Sequence, residues 1–160
     1  HLPGDPITDK WFTEVMLPNL EIGAKKAGRS LDDIDLGSYG FIGCAVTDDG
    51  LERVREGLKQ RVALYASTPE YAKMLEMHGW DVNLSDFIEM ARAHRWDEMG
   101  TLVSDKMLES YAVIAKPEDL PAALAKRFGG QVNRVQIDET WFDGLSDDAI
   151  AALVVSLKAI

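Results

Sequence analysis

The residues able to do chemistry in this 160-residue chain are few, and their spacings are unhelpful. The histidines are His1, His78 and His94. No two stand at the three- or four-residue separation that sets a pair of imidazoles on one helix face, so no metal site is expected. Cys44 has no second cysteine to pair with and no cation beside it in sequence, and it reads as a buried core thiol. The stretch Gly37-Ser38-Tyr39-Gly40-Phe41-Ile42-Gly43 is glycine-rich but has neither the GxGxxG spacing nor the GK[S/T] ending of a phosphate cradle. It reads as a strand packed closely on a neighbour. Ser38, Ser67 and Ser104 lack the G-x-S-x-G surround of a nucleophile. No residue is assigned a catalytic role.

Among the carboxylates, Asp138, Glu139, Asp143, Asp147 and Asp148 match no calcium-loop spacing. Asp147 and Asp148 are explained as charges that favour a helix start. Asp138 and Glu139 directly follow a candidate strand, where barrel enzymes keep working residues. Trp141 and Phe142 beside them would make a stacking surface for a ring, or, more simply, a plug over the sheet end. His78 and Trp80, in Met77-His78-Gly79-Trp80, stand at a helix end, where a capping role competes with a place in a pocket. The candidate pocket-lining residues are therefore His78, Trp80, Trp141 and Phe142.

Charge narrows the partners. With 27 acidic against 17 basic residues the net charge is -10, the wrong sign for replacing the cations condensed on nucleic acid or for an anionic membrane surface. No apolar run reaches the roughly 18 residues of a membrane span, and the start is not signal-like. The expectation is a cytoplasmic protein without nucleic-acid or membrane partners. His1 is not an initiator methionine, which suits a processed product or a piece of something longer.

The elements that would position these residues are mostly helices. Phe12, Met16, Leu20, Gly23 and Ala27 recur at helical spacing, with Pro18 expected to kink or restart the helix and Gly28 to end it. A strand is expected within 33–46. Asp49 and Glu52 make a capping-box pair ahead of an amphipathic helix bearing Leu51, Val54, Leu58, Val62 and Tyr65. Helical segments then start at Ser67-Thr68-Pro69, Asn83 and Trp96, so about 50–110 is one long helical excursion. Tyr111 to Ala115 is a strand or a buried connector; five residues do not decide. A helix over 117–128, an alternating strand over 132–138 and a last helix from Ser146 complete the chain. Two successive arrangements of basic helix end, glycine and strand indicate an α/β architecture with too few strands for a complete sheet.

Several strings carry a family resemblance. Pro18-Asn19-Leu20-Glu21-Ile22-Gly23-Ala24-Lys25-Lys26-Ala27-Gly28-Arg29 resembles the P-x-x-x-x-G-x-x-x-A-G-R helix of luciferase-like monooxygenases and their F420-dependent relatives. Val62 to Tyr71, Leu75 to Trp80, Trp96 to Met99, Val103 to Leu108 and Ala115 to Leu120 continue it in order. Ala115-Lys116 replaces the usual glycine and small cap residue. The resemblance implies a (β/α)8 barrel of about twice this length, carrying F420 or FMN and acting on a small-molecule substrate. This chain would be its C-terminal portion: a single partial domain over 1–160, with 33–46 and 132–138 as the last two strands and a helical insertion at about 50–110. Such a piece is expected to bind no cofactor tightly, to leave one sheet face bare, and hence to be a homo-oligomer. The alternative is a non-catalytic helical assembly or regulatory module derived from the barrel.

Overall fold

Residues 7–158 are described by the structure, a computed structural model; His1 lies outside them. The chain opens with a short helix α1 (Asp9–Trp11), capped by the Thr8 hydroxyl on the Trp11 amide, and a π-helical turn (Phe12–Met16). It continues into α2 (Leu17–Lys26). Pro18 explains the wide turn: it has no N–H to give, and its ring would collide with a carbonyl four residues back in a regular helix. Gly28 then takes the left-handed conformation (φ +69°) that ends the segment.

Three parallel strands form the sheet: β1 (Phe41–Ala45), β2 (Ala112–Ala115) and β3 (Phe142–Asp143), in the order β2-β1-β3. The 111–115 segment is thus a strand from Ala112 onward, with Tyr111 ending the helix before it. The strand expected over 132–138 does not form as a ladder. It makes one bridge, Gly37 to Arg134, and the Ser38 hydroxyl, not a carbonyl, accepts the Gln136 amide at 2.8 Å. Its partner residues, 36–38, lie outside β1, which begins only at Phe41; residues 33–40 run as a 3-10 turn and irregular chain. Consecutive strands are neighbours in a closed (β/α)8 barrel; here β3 lies across β1 from β2.

Between β1 and β2 the chain is helical: α3 (Asp48–Ala66), α4 (Ala72–His78), α5 (Leu84–Arg92), α6 (Trp96–Met99) and α7 (Asp105–Tyr111). The cap of α3 is Thr47, whose hydroxyl accepts the Gly50 amide at 3.0 Å, and not the expected Asp49. After β2 come α8 (Leu120–Phe128) and α9 (Asp147–Leu157), the latter capped by Ser146 as expected.

Alternation along β1 sorts the core into two layers. Phe41 and Ala45 join Val54, Leu58, Val62, Phe87 and Met107 beneath the insertion helices. Ile42, Cys44 and Val113 join Phe12, Tyr39, Leu120, Leu124 and Leu153 beneath the N-terminal segment, α8 and α9. Both faces of the sheet are covered. The bare face that pointed to oligomerisation is not present, because the N-terminal segment and the last two helices fill it. The result is a mostly helical fold with a small three-stranded sheet, a partial luciferase-like, barrel-derived fold with a helical insertion.

Candidate functional site

One edge of α3 carries a groove walled by aromatic side chains. The buried stripe of α3 includes Val54, Leu58 and Val62. The edge beside it presents Gly57, Gln60, Arg61 and Leu64 to a surface walled by two tryptophans. Trp141 arrives on a 3-10 turn (Glu139–Trp141) held by the Asp138 carboxylate, which accepts the Thr140 amide at 3.0 Å. Its indole lies against Gly57 so closely that a Cβ there would come within 3.1 Å of the ring. It also meets Phe41 at 6.2 Å between centroids.

Trp141 and Arg61 stand between two adjoining cavities. The first, about 480 Å³, is bounded by Ser38, Phe41, Tyr65, Gln136 and Asp138 as well as by these two residues. The second, about 440 Å³, runs along Gly57 and Leu64 to Trp96, which is 45% exposed. Arg61 is held over Tyr65, its guanidinium carbon 5.0 Å from the ring centroid and Nη2 donating to the phenol oxygen at 3.2 Å. The groove can stack a flat ring against indole and present an exposed cation beside it.

The four candidate pocket residues separate. His78 stacks on Trp80 at 4.0 Å, nearly coplanar, and its Nε2 meets the Thr8 hydroxyl at 2.8 Å. Lys10 donates to the Met77 carbonyl at 2.7 Å. These contacts staple the N-terminal segment to the end of α4, where Gly79 takes the left-handed cap (φ +59°). Desolvation, followed by the charge of Lys10, holds the His78 imidazole below its ordinary value. Trp80 also packs 5.7 Å from Tyr111. Trp141 and Phe142, adjacent in sequence, go to opposite cores of the sheet. Of the four, Trp141 lines the groove.

The remaining candidates have structural explanations. Cys44 is fully buried, and burial with the nearby charge of Glu118 pushes its thiol up to about 11. His94 occupies a left-handed position (φ +56°) just past α5. Asp143 is paired with Arg53 at 2.8 Å. Among the described residues no group of three or more His, Cys, Asp or Glu is placed to hold a metal.

Two clusters could not be read as sites from the sequence. Arg61 and Tyr65 stand one helical turn apart, a spacing that signals contact but not which face is open. Arg127 has a 93% buried side chain and donates to the Glu109 carbonyl at 3.1 Å and the Ser110 carbonyl at 2.9 Å, closing the end of α7. Its Nε lies 3.3 Å from Asp9, which also accepts the Tyr39 hydroxyl at 2.9 Å.

The sequence of residues 7–133 matches the luciferase-like monooxygenase family. The chain belongs to that family. It is 30% identical over 135 residues to an uncharacterized protein of Mycobacterium tuberculosis, covering 84% of this chain and 40% of that one. It is 30% identical over 128 residues to the 5,10-methylenetetrahydromethanopterin reductase of Methanopyrus kandleri, covering 78% of this chain and 35% of that one. Its fold resembles the coenzyme F420 dependent tetrahydromethanopterin reductase from Methanopyrus kandleri, with a TM-score of 0.62 and 25% identity, over 89% of this chain and 40% of that chain. The chain thus spans 35 to 40% of the length of these relatives.

Barrels of this architecture hold ligands at the carboxyl ends of their strands. At those ends this chain offers Asp48, paired with Lys116 at 2.7 Å, and Asp143, paired with Arg53. Both carboxylates are already paired with a cation. The groove at Trp141 lies instead beside the amino end of β1, at Gly40 and Phe41. No described helix is long and apolar enough to cross a membrane.

Proposed function

We propose that this chain is the C-terminal part of an oxidoreductase that uses F420 or reduced flavin, with residues 1–160 as one partial domain and its helical insertion at about 50–110. The supporting observation is the likeness of fold and sequence to the F420 dependent reductase from Methanopyrus kandleri over 89% of the chain. When bound, the (deaza)flavin supplies hydride transfer to or from a small-molecule substrate. The residues of this chain contribute scaffold: Arg127 closes α7 against the N-terminal segment, and the helices of the insertion pack over one face of the strands. Trp141 is the pocket wall retained from the four candidates.

The test begins with the encoding reading frame and the intact mass of its product. A frame of about twice this length calls for spectroscopic titration of the complete protein with F420 and with FMN. Saturable, stoichiometric binding of either supports the reading; binding of neither removes it.

A second reading, a non-catalytic assembly or regulatory module, draws on the covered sheet, since two cores enclose it on both sides. It expects a frame ending near this length, a cooperative melt and a self-associated mass, because β2 and β3 still present open edges. A complete protein that binds F420 excludes it.

A further inference from the structure

We propose that the cavity bordered by Trp141, Tyr65 and Arg61 is a binding site for a planar aromatic carboxylate. Four cations project from α3, and three of them are neutralised: Arg53 by Asp143, Arg55 by Asp105, and Lys59 by Glu56 and Asp105. Among the described residues Arg61 is in no ion pair. In a chain of net charge -10, a cation that borders a cavity without a carboxylate partner is a local attractor for an anion. Arg61 is exposed, and the Tyr65 ring and hydroxyl support one side of its guanidinium, which leaves donors for a carboxylate.

The walls specify the other half of the ligand. Trp141, Phe41 and Tyr65 surround the volume, and Gly57 gives the indole its seat because any larger residue would displace it. A flat ring can stack on such a surface, whereas a branched aliphatic acid meets aromatic edges at poor contact. The space of about 480 Å³ accommodates a two-ring acid. Asp138 also borders the cavity and is held by the Thr140 amide. Its charge offsets part of the attraction of Arg61 and weighs further against ligands with a second anionic group. This inference does not depend on the identity of the cofactor in the complete protein.

The experiment is calorimetric titration of the full 160-residue chain with 2-naphthoate, beside 2-naphthamide and cyclohexanecarboxylate. Saturable one-to-one binding of naphthoate is expected, at least about tenfold tighter than the amide, which cannot form the charge-assisted hydrogen bond, and tighter than cyclohexanecarboxylate, which keeps the carboxylate but has no flat ring to stack. Arg61→Gln should remove that preference for the acid over the amide while the melting temperature is kept. Arg92→Gln, on the exposed side of α5, should leave it unchanged. Naphthamide binding as tightly as naphthoate, an Arg61→Gln variant with full affinity, or no saturable binding by a folded chain would each overturn the proposal. Failure of the complete protein to bind F420 or FMN would bear on the cofactor reading and leave this one standing.

Discussion

Three glycines of one short segment should respond to alanine in three different ways, and the order tests the packing of β1. Gly37 has no atom within 4 Å of a built Cβ and has no positive φ. Alanine there restricts the unfolded chain without a steric cost, so Gly37→Ala should stabilise by about 0.4–1 kcal/mol. At Gly43, in the middle of the central strand, a Cβ would fall 2.5 Å from a Val54 methyl and 3.3 Å from Leu58. Valine on a helix has one preferred rotamer and cannot swing away freely. Overpacking of this kind costs about 1–3 kcal/mol. Gly40 combines two penalties: φ is +74°, worth about 1–2 kcal/mol for an L side chain, and its Cβ would stand 2.3 Å from the Tyr111 carbonyl oxygen, a backbone atom. Gly40→Ala should therefore be the worst, at about 2–5 kcal/mol when overpacking is included.

Urea unfolding followed by circular dichroism gives the midpoints, and unchanged slopes would show that compactness is unaltered. For a chain of this size one kcal/mol shifts the melting temperature by about 2–4 °C, so Gly37→Ala and Gly40→Ala should differ by about 5 °C or more. Equal stabilities for those two variants would refute the packing described for β1 and its lead-in. So would a Gly43→Ala variant as stable as Gly37→Ala.

Two further outcomes follow from polar groups that are partly or wholly buried. The His78 imidazole is held below its ordinary value of 6.5, so the unfolded chain binds the proton more readily than the folded one. Its contribution is complete above about 6.5 and is lost as the pH falls from there toward the lower folded value. His78→Gln should flatten that limb of a stability profile, and an unchanged slope would contradict it. Replacing Arg127 by Met leaves the Glu109 and Ser110 carbonyls without their donor and the half-exposed Asp9 without its ion pair, and should cost about 1–3 kcal/mol in urea. Arg127→Lys should recover little, because one ammonium cannot span both carbonyls and the carboxylate; near-parent stability would show that the cluster is not what closes α7.

What the sequence determined by itself was local. The helix ending at Gly28, the Ser146 cap of α9, the αL glycine after His78 and the stripe of Val54, Leu58 and Val62 all depend on residues within a turn or two of one another. Composition likewise fixed the chain's anionic character, and the ordered strings fixed the family. Tertiary structure decided what depends on distant partners. Residues 132–138 alternate as a strand should, yet Val135 is left 39% exposed, because the segment passes beside residues 36–38 and not beside β1 itself. Residues 111–115 carried no decisive period, and 112–115 became β2 because β1 offered an edge. The groove has the same origin. Arg61 and Trp141 lie 80 positions apart by number, and only the return of the chain past Gly57 makes them the two sides of one cavity. Helical periodicity is a property of neighbours in sequence, whereas strand pairing and cavity walls are properties of chain crossings, which no local pattern records.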